Sequence, residues 1–461
     1  MSVEEIYKNF YKLRHQMLSL IYLEQMLEWY SLIHNVNSSD ISNMIVETNN
    51  RLKNLEKSNF AAETINSVFE SKNFFDEDIL KEAAIISHRI CVHNTEPDSE
   101  LVKAKIDCQR DYLKAKEKHD FNIVKSSLDL VIKLNRNRLN ENSYKKLLRD
   151  KIVGLSFKQV DNLFSDIKNI TLALECKQES TNNLFVTNKQ AKFIVDYLLN
   201  LLSLDTNRLE IKNSSESFMV SFGSSDVKLS INQTNQPLFT FLKTCCHEMG
   251  HALYELNNDK KYDWTFLSGA ASTTFHEGIA YFFEHYVGEN EGIKNHILKN
   301  ILNTKANEQL SSPSPIRIES NFKNYPLHIL IRYEIEKDLI NGNISVDDVN
   351  KVWKQKYKEY FDISIHDDNK GILQDPHWFN NQFGYFPSYI IGRVYAAQLY
   401  NALNKNIEIS NCLKNNDMSN INKKLANTIF KYGASKSPDE ILKNATGEKF
   451  NPKYYLKELE K

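Results

Sequence analysis

Glycine and proline are scarce in this 461-residue chain, 13 and 9 respectively, so turns and breaks are few and long helices are expected. Six cysteines (Cys91, Cys108, Cys176, Cys245, Cys246, Cys412) stand without the rhythm of a disulfide framework, which argues against a cystine-stapled fold and fits a reducing compartment. Neither sign of charge is in surplus: 58 basic and 59 acidic residues give a net charge of −1, which offers nothing to nucleic acid or to an anionic membrane. A long apolar run is also missing. Leu18 to Leu23 is short and runs into Glu24, and Met1-Ser2-Val3-Glu4-Glu5 lacks a basic leader region. Neither a transmembrane helix nor a signal peptide is expected, and the chain reads as cytoplasmic.

What is present is mostly amphipathic helix. Residues 3–36, 45–70, 76–93, 98–118, 120–149 and 188–203 place apolar side chains at i, i+3/i+4 spacing with Lys and Glu between them. The basic stretch from Lys145 to Lys151 alternates with Leu147 and Leu148, as a solvated helix face does. One region breaks the rhythm. Leu209-Glu210-Ile211, Phe218 to Phe222 and Val227 to Ile231 alternate as strands, with turns at Asn213-Ser214 and Gly223-Ser224. No linker or repeat divides the chain, so 1–461 is expected to be one catalytic body, with 1–200 a helical lobe and lid and 201–461 the metal- and substrate-binding part.

Next to that sheet stands His247-Glu248-Met249-Gly250-His251. Residues four apart on a helix lie roughly 40° from each other around the axis, so both imidazoles reach one ion, and Glu248 beside them serves as a base toward a metal-activated water. A third ligand is needed, and Glu277 from the next helix supplies it, giving a His₂Glu site with an open position. Thr274-Phe275-His276-Glu277 also spells a capping box, in which the glutamate would merely close a helix start. Cys245-Cys246 abuts the motif. Cys246 points about 100° away from His247, so packing thiols are expected rather than a Cys/His metal cluster. The metal helix is expected to start with Pro237 at its first position, after Asn235-Gln236, and to run to Asn257-Asn258.

These residues resemble the carboxypeptidase Taq family of metallocarboxypeptidases. The likeness is carried by HEMGHALYE from His247, by FHEGIAYFFEHYVGE ending at Glu289, and by Leu327 to Glu336. It continues in Gly371 to Trp378, which fits GxxQDxHW, and in Phe383 to Tyr389. It spans about residues 200–461 well and the N-terminal helices loosely. Several substrate-side motifs depart: Glu216-Ser217-Phe218 stands for HPF, Asp226 to Ser230 for DxRxT, Gly278-Ile279 for Ser-Gln, and Ile316 to Asn321 for IRxxAD without its aspartate.

The resemblance implies a mainly α, large helical zinc-peptidase fold, with a deep groove and a small three-stranded sheet beside the HExxH helix. It implies one Zn²⁺ per chain (Co²⁺ and Mn²⁺ fit the same donors), peptide substrates, a homodimer, and release of single C-terminal residues with broad specificity. His247, His251 and Glu277 are the expected metal ligands and Glu248 the base. Tyr385 and His377 are the candidates for stabilising the oxyanion, with Tyr389 a close competitor of Tyr385 and also a candidate for binding substrate. Arg332, ahead of Arg317, is expected to bind the substrate carboxylate, since a guanidinium takes a carboxylate bidentately. An Arg332–Glu336 pair within one helix is the alternative for that arginine. Asp375 and Glu284 are the candidates for orienting the imidazoles. Two other functions stay open: a related oligoendopeptidase or dipeptidyl carboxypeptidase, and a metal-stabilised peptide-binding protein without turnover.

Overall fold

The computed structural model describes residues 1–34, 39–94, 99–139, 143–149, 152–173, 179–181, 184–214, 217–233, 236–301, 309–311 and 314–461. Helices dominate: α1 (Val3–His34), α2 (Ser39–Glu56), α3 (Asn59–Glu70), α4 (Glu77–Asn94), α5 (Ser99–Lys118), α6 (Asn122–Leu139), α7 (Ser143–Arg149), α8 (Phe157–Ala173), α9 (Asn188–Leu201), α10 (Leu238–Leu256), α11 (Thr273–Phe283), α12 (Glu291–His296), α13 (Tyr325–Asn341), α14 (Val346–Phe361) and α15 (Phe386–Asn404). The strands are β1 (Glu179–Thr181), β2 (Leu209–Lys212), β3 (Phe218–Ser221), β4 (Val227–Ser230) and β5 (Gln309–Ser311).

The helical periodicity is realised with breaks it did not announce. The pattern over 45–70 is two helices, because the Ser58 side chain accepts from the Ala61 N–H and starts a new one at Asn59. The pattern gave no warning of α8 or of the antiparallel β1–β5 pair. The three strands before the HExxH helix form where expected, but not as a plain meander. The order is β2-β4-β3, with β2 parallel and β3 antiparallel to β4, so β3 is an edge strand. Gly223 makes the β3–β4 turn at φ +91°, where a Cβ would lie 2.7 Å from the Asp263 carboxylate that receives the Ser224 N–H. Pro237 caps α10 from outside, extended at ψ 139°, rather than occupying its first turn.

Contacts group the chain into two compact units. The first comprises Met1–Glu96, Asn182–Ala306 and Leu399–Phe450, and the second Pro97–Thr181, Asn307–Gln398 and Asn451–Lys461. In the first, Phe10, Leu13 and Met17 of α1 pack with Ile65 and Val68 of α3 and Ala83 and Ile86 of α4. In the second, α13 is buried almost all round, and Tyr333 stacks on Phe164 of α8 with ring centroids 4.2 Å apart. A helix without a polar face belongs to a core.

Candidate metal centre

His247 and His251 stand one turn apart on α10, with ring centroids 4.9 Å apart and planes nearly perpendicular. Their Nε2 atoms meet one carboxylate: Glu277 Oε2 lies 3.6 Å from His247 Nε2, and Glu277 Oε1 lies 3.9 Å from His251 Nε2. Gly250 makes this approach possible. A Cβ there would sit 3.0 Å from both Ala280 Cα and the Phe283 ring, so only a glycine lets α10 and α11 come so close. The capping-box reading of Glu277 fails on geometry. Ser272 is the cap, its hydroxyl accepting from the Phe275 N–H, which leaves Glu277 inside the helix with its carboxylate free for other work.

One ligand atom from each of His247, His251 and Glu277 falls within 4.8 Å of the others. Ligands about 2.1 Å from a tetrahedral ion lie about 3.4 Å from one another, so the two Glu277 contacts are within about half an ångström of that spacing and the whole set closes on an ion by side-chain shifts of about an ångström. Among the described residues this is the one such group. The helix after Phe283 widens into a π-helical turn, Glu284–Gly288, and Glu284 at its head takes His247 Nδ1 at 2.9 Å. That bond turns Nε2 toward Glu277. Of the two carboxylates considered for orienting the imidazoles, Glu284 does so, while Asp375 is bound to arginines in the second unit.

Charge is balanced here for a cation. Burial disfavours the charged form of His247, but the Glu284 hydrogen bond and the charges of Glu284, Glu248 and Glu277 outweigh it, and the imidazole is raised to about 9. Burial, joined by the charges of His276 and His247, holds His251 well below its usual range, as a neutral ligand requires. Burial pushes Glu248 up to about 7, with Glu277 and Glu284 adding to the rise. Cys245 and Cys246 are fully enclosed and their thiols are raised by burial, as packing residues.

Two neighbours escaped the sequence reading. His276 is packed against His251 at 4.2 Å between ring centroids, and its Nε2 lies 3.4 Å from Glu255 Oε1. Glu255 continues the stripe His247, His251, Glu255 at four-residue steps, a signal that was readable. A cavity of about 280 Å³ opens at the centre, walled by the ligands, Glu248, His276 and the start of β3 at Phe218 and Met219.

The second unit gathers the other candidates around Asp375. Arg317 reaches Oδ1 through Nε at 3.1 Å and Nη2 at 2.8 Å, and Arg332 Nε reaches Oδ2 at 2.6 Å. Burial opposes the charge on Asp375, but Arg332 and Arg317 hold it well below the usual carboxylate range. His377 Nε2 lies 3.2 Å from the Tyr389 hydroxyl, the Arg317 guanidinium sits 5.1 Å over the Tyr389 ring, and Tyr385 meets the His377 and Tyr389 rings at 5.5 and 5.4 Å. Burial, with the nearby arginines, lowers His377 to about 4, so it is neutral and carries one N–H.

Arg332 has no exposed surface, enclosed by Trp353 and Phe386, so its expected direct role as a carboxylate ligand meets a steric obstacle. It does not pair with Glu336, which instead accepts from Trp378 Nε1 at 2.6 Å and from the Gly384 N–H. Among the departures, Lys228 (where the family has arginine) is bound by Glu210 at 3.0 Å and Asp226 at 3.1 Å. Asn321 still receives the Lys323 and Asn324 N–H groups, as an aspartate would. Glu216 and Asn235 lie outside the described residues.

A mainly helical fold whose HExxH histidines meet a glutamate from the following helix defines a metallopeptidase. The chain belongs to the carboxypeptidase Taq (M32) metallopeptidase family, whose model matches residues 32–461. It is 30% identical over 451 residues to "Carboxypeptidase 1" of Bacillus subtilis (strain 168), covering 91% of this chain and 90% of the relative. Two solved structures, of the Pyrococcus furiosus carboxypeptidase and of Trypanosoma cruzi metallocarboxypeptidase 1, superpose with TM-scores of 0.89 at 22% identity. The first match covers 100% of this chain and 99% of the other, the second 99% of each, and at such identity they speak for the fold. The chain is thus a metallocarboxypeptidase, a peptide hydrolase.

Proposed function

We propose that this enzyme releases single residues from the C-terminus of peptides with broad specificity, using one zinc ion per chain held by His247, His251 and Glu277. The observation that carries the reading is the convergence of those donors with Glu248 in one cavity beside an edge strand. A divalent ion on two imidazoles and a carboxylate lowers the pKa of a coordinated water and polarises the scissile carbonyl. Zn²⁺ suits these donors, and Co²⁺ and Mn²⁺ are the substitutes. Glu248 takes the proton of the attacking water and passes it to the leaving amine. Glu284 holds the His247 ring in place throughout. The outward edge of β3 aligns the peptide backbone as an added strand.

His377 and Tyr385 are the proposed donors to the oxyanion, His377 as a neutral imidazole that gives one N–H. Arg317 is the proposed carboxylate receptor, with Tyr389 beside it. Two guanidinium groups share the single carboxylate of Asp375, leaving one positive charge for a substrate anion. Arg332, ranked first from sequence, becomes a positioning residue that anchors Asp375 from within the core. The described cysteines are free thiols, which supports a cytoplasmic setting. No helix among the described residues is long and apolar enough to cross a membrane. A homodimer rests on the family resemblance.

The test is mass spectrometry of a free-ended peptide incubated with zinc-loaded enzyme, with its Glu248→Ala variant, and after chelation. A ladder of single C-terminal losses, abolished by the substitution and by chelation, is expected. Internal fragments or paired losses would move the assignment to an endopeptidase or dipeptidyl carboxypeptidase. Metal binding without any cleavage would leave a peptide-binding protein.

A further inference from the structure

Beside the metal cavity lies a second one, of about 320 Å³, in the same unit. Met219 lines both, and the second continues along β3 to Ser221 and Gly223, with α1 forming its far wall through Leu18, Ile21, Tyr22 and Gln25. Strand alternation links the two. The Phe222 N–H bonds Asp226 at 2.9 Å, which pairs Phe222 with β4 and turns the backbone groups of Ser221 and Met219 to the open edge. A peptide added to that edge therefore bonds Met219 at the metal cavity and Ser221 two residues farther on, about 7 Å away at ~3.3 Å per residue. A carboxypeptidase has a single residue beyond the bond it cuts. A cavity two residues from the metal centre along the peptide consequently lies on the N-terminal side. Counting from the C-terminus, residue 1 leaves, residue 2 carries the attacked carbonyl, and residue 4 reaches the second cavity.

Two of the enclosed polar groups there are acceptors. Glu255 is nine-tenths buried and touched by the Ser221 hydroxyl at 3.2 Å. The Gln25 amide oxygen is enclosed and meets no donor among the described residues. Tyr22 adds an aromatic face. Arg89 also lines the cavity, but its charge is taken up by Glu56 at 3.1 Å. An alkylammonium group offers three donors and a charge to such a wall.

We infer that this cavity, between α1 and β3, is an upstream specificity subsite that takes an ammonium group about four residues from the substrate's C-terminus. The inference rests on the carboxypeptidase reading above. Two sources supply that group, a lysine side chain or the amino terminus of a tetrapeptide, and two arms of one experiment separate them. In the first, lysine, norleucine or glutamate is walked through positions 3 to 5 of N-acetylated alanine hexapeptides. In the second, alanine tetrapeptides with free and acetylated amino termini are compared. For each enzyme, hydrolysis of an N-acetyl dipeptide, too short to reach the cavity, provides the reference rate.

Lysine is expected to exceed norleucine by about tenfold in kcat/KM at position 4, and Gln25→Lys is expected to remove or invert that ratio. A gain with free-ended tetrapeptides alone assigns the subsite to the amino terminus. Equal rates for lysine, norleucine and glutamate at every position, together with equal rates for free and blocked tetrapeptides, would overturn the subsite. So would a preference for glutamate, or a lysine preference that Gln25→Lys leaves unchanged. Failure to cleave even the N-acetyl dipeptide would instead remove the underlying carboxypeptidase reading, and the subsite with it.

Discussion

The two polar clusters of this protein are built on opposite electrostatic plans. Around His247 and His251, three carboxylates (Glu248, Glu277, Glu284) converge, and their mutual repulsion favours a cation or a proton among them. Around Asp375, the positive groups are in excess, and Arg332 and Arg317 clamp a single carboxylate. The first cluster is incomplete without an ion. The second is satisfied internally and retains one charge to offer. A metal site can therefore be assembled from two adjacent helices, whereas the proposed carboxylate receptor would need its arginine held rigid by a buried partner.

Glu248→Ala is the severest way to break this contrast. With the three ligands intact, metal stoichiometry should hold while kcat falls about 10²- to 10⁴-fold, as loss of a general base does. A fall in KM affinity instead, with kcat kept, would place the proton transfer elsewhere. Asp375→Ala comes next. It leaves two enclosed guanidinium groups without a counter-charge, and unfolding in denaturant should show a loss of about 3–5 kcal/mol. A marginal change would mean the arginines find other partners.

Arg317→Ala sharpens the division of labour. Removing a charge-assisted contact should reduce kcat/KM on free-ended peptides by about 10²-fold, mostly through KM. An effect confined to kcat would count against a receptor for the carboxylate. Glu284→Gln is the mildest substitution, weakening metal affinity about 10- to 100-fold with the ligands untouched.

The pH dependence of metal binding follows from the same plan. His247 in the metal-free enzyme holds its proton up to about 9, and ligation needs the neutral ring. Affinity should thus rise with pH toward 9 and fall below it, by at most about tenfold per pH unit. Titration of the apo-enzyme with metal between pH 6.5 and 9 reads this directly, and Glu284→Gln should flatten the curve because it removes the negative charge that holds the proton.

Sequence legibility followed contact range. His247, Glu248 and His251 are four-residue neighbours on one helix, and Glu277 lies a single connection away, so spacing alone nominated them. Glu284, seven residues past Glu277, was legible as a candidate, but the π-helical turn that points it at His247 was not. The capping box spelled at Thr274, the alternative reading of Glu277, is not formed, because cap choice depends on where the chain enters the helix, and it enters at Ser272. Asp375 stood beside Glu284 as a candidate for orienting the imidazoles, and the sequence could not choose between them, because it says nothing about arginines 58 and 43 residues away from Asp375. Arg332 was ranked first on its surroundings in sequence, which carry no information about its complete burial.

By itself, then, the sequence determined a mainly helical peptidase and the position of the three-strand segment, and it nominated the residues proposed to bind the ion and move the proton, because helix periodicity and ligand spacing are local properties. Tertiary structure decided the strand order that leaves β3 at an edge, the approach of α11 to α10 over Gly250, the clamp on Asp375 and the cavity beyond Ser221. Each of these depends on which distant surfaces meet, and on the desolvation that follows when they do.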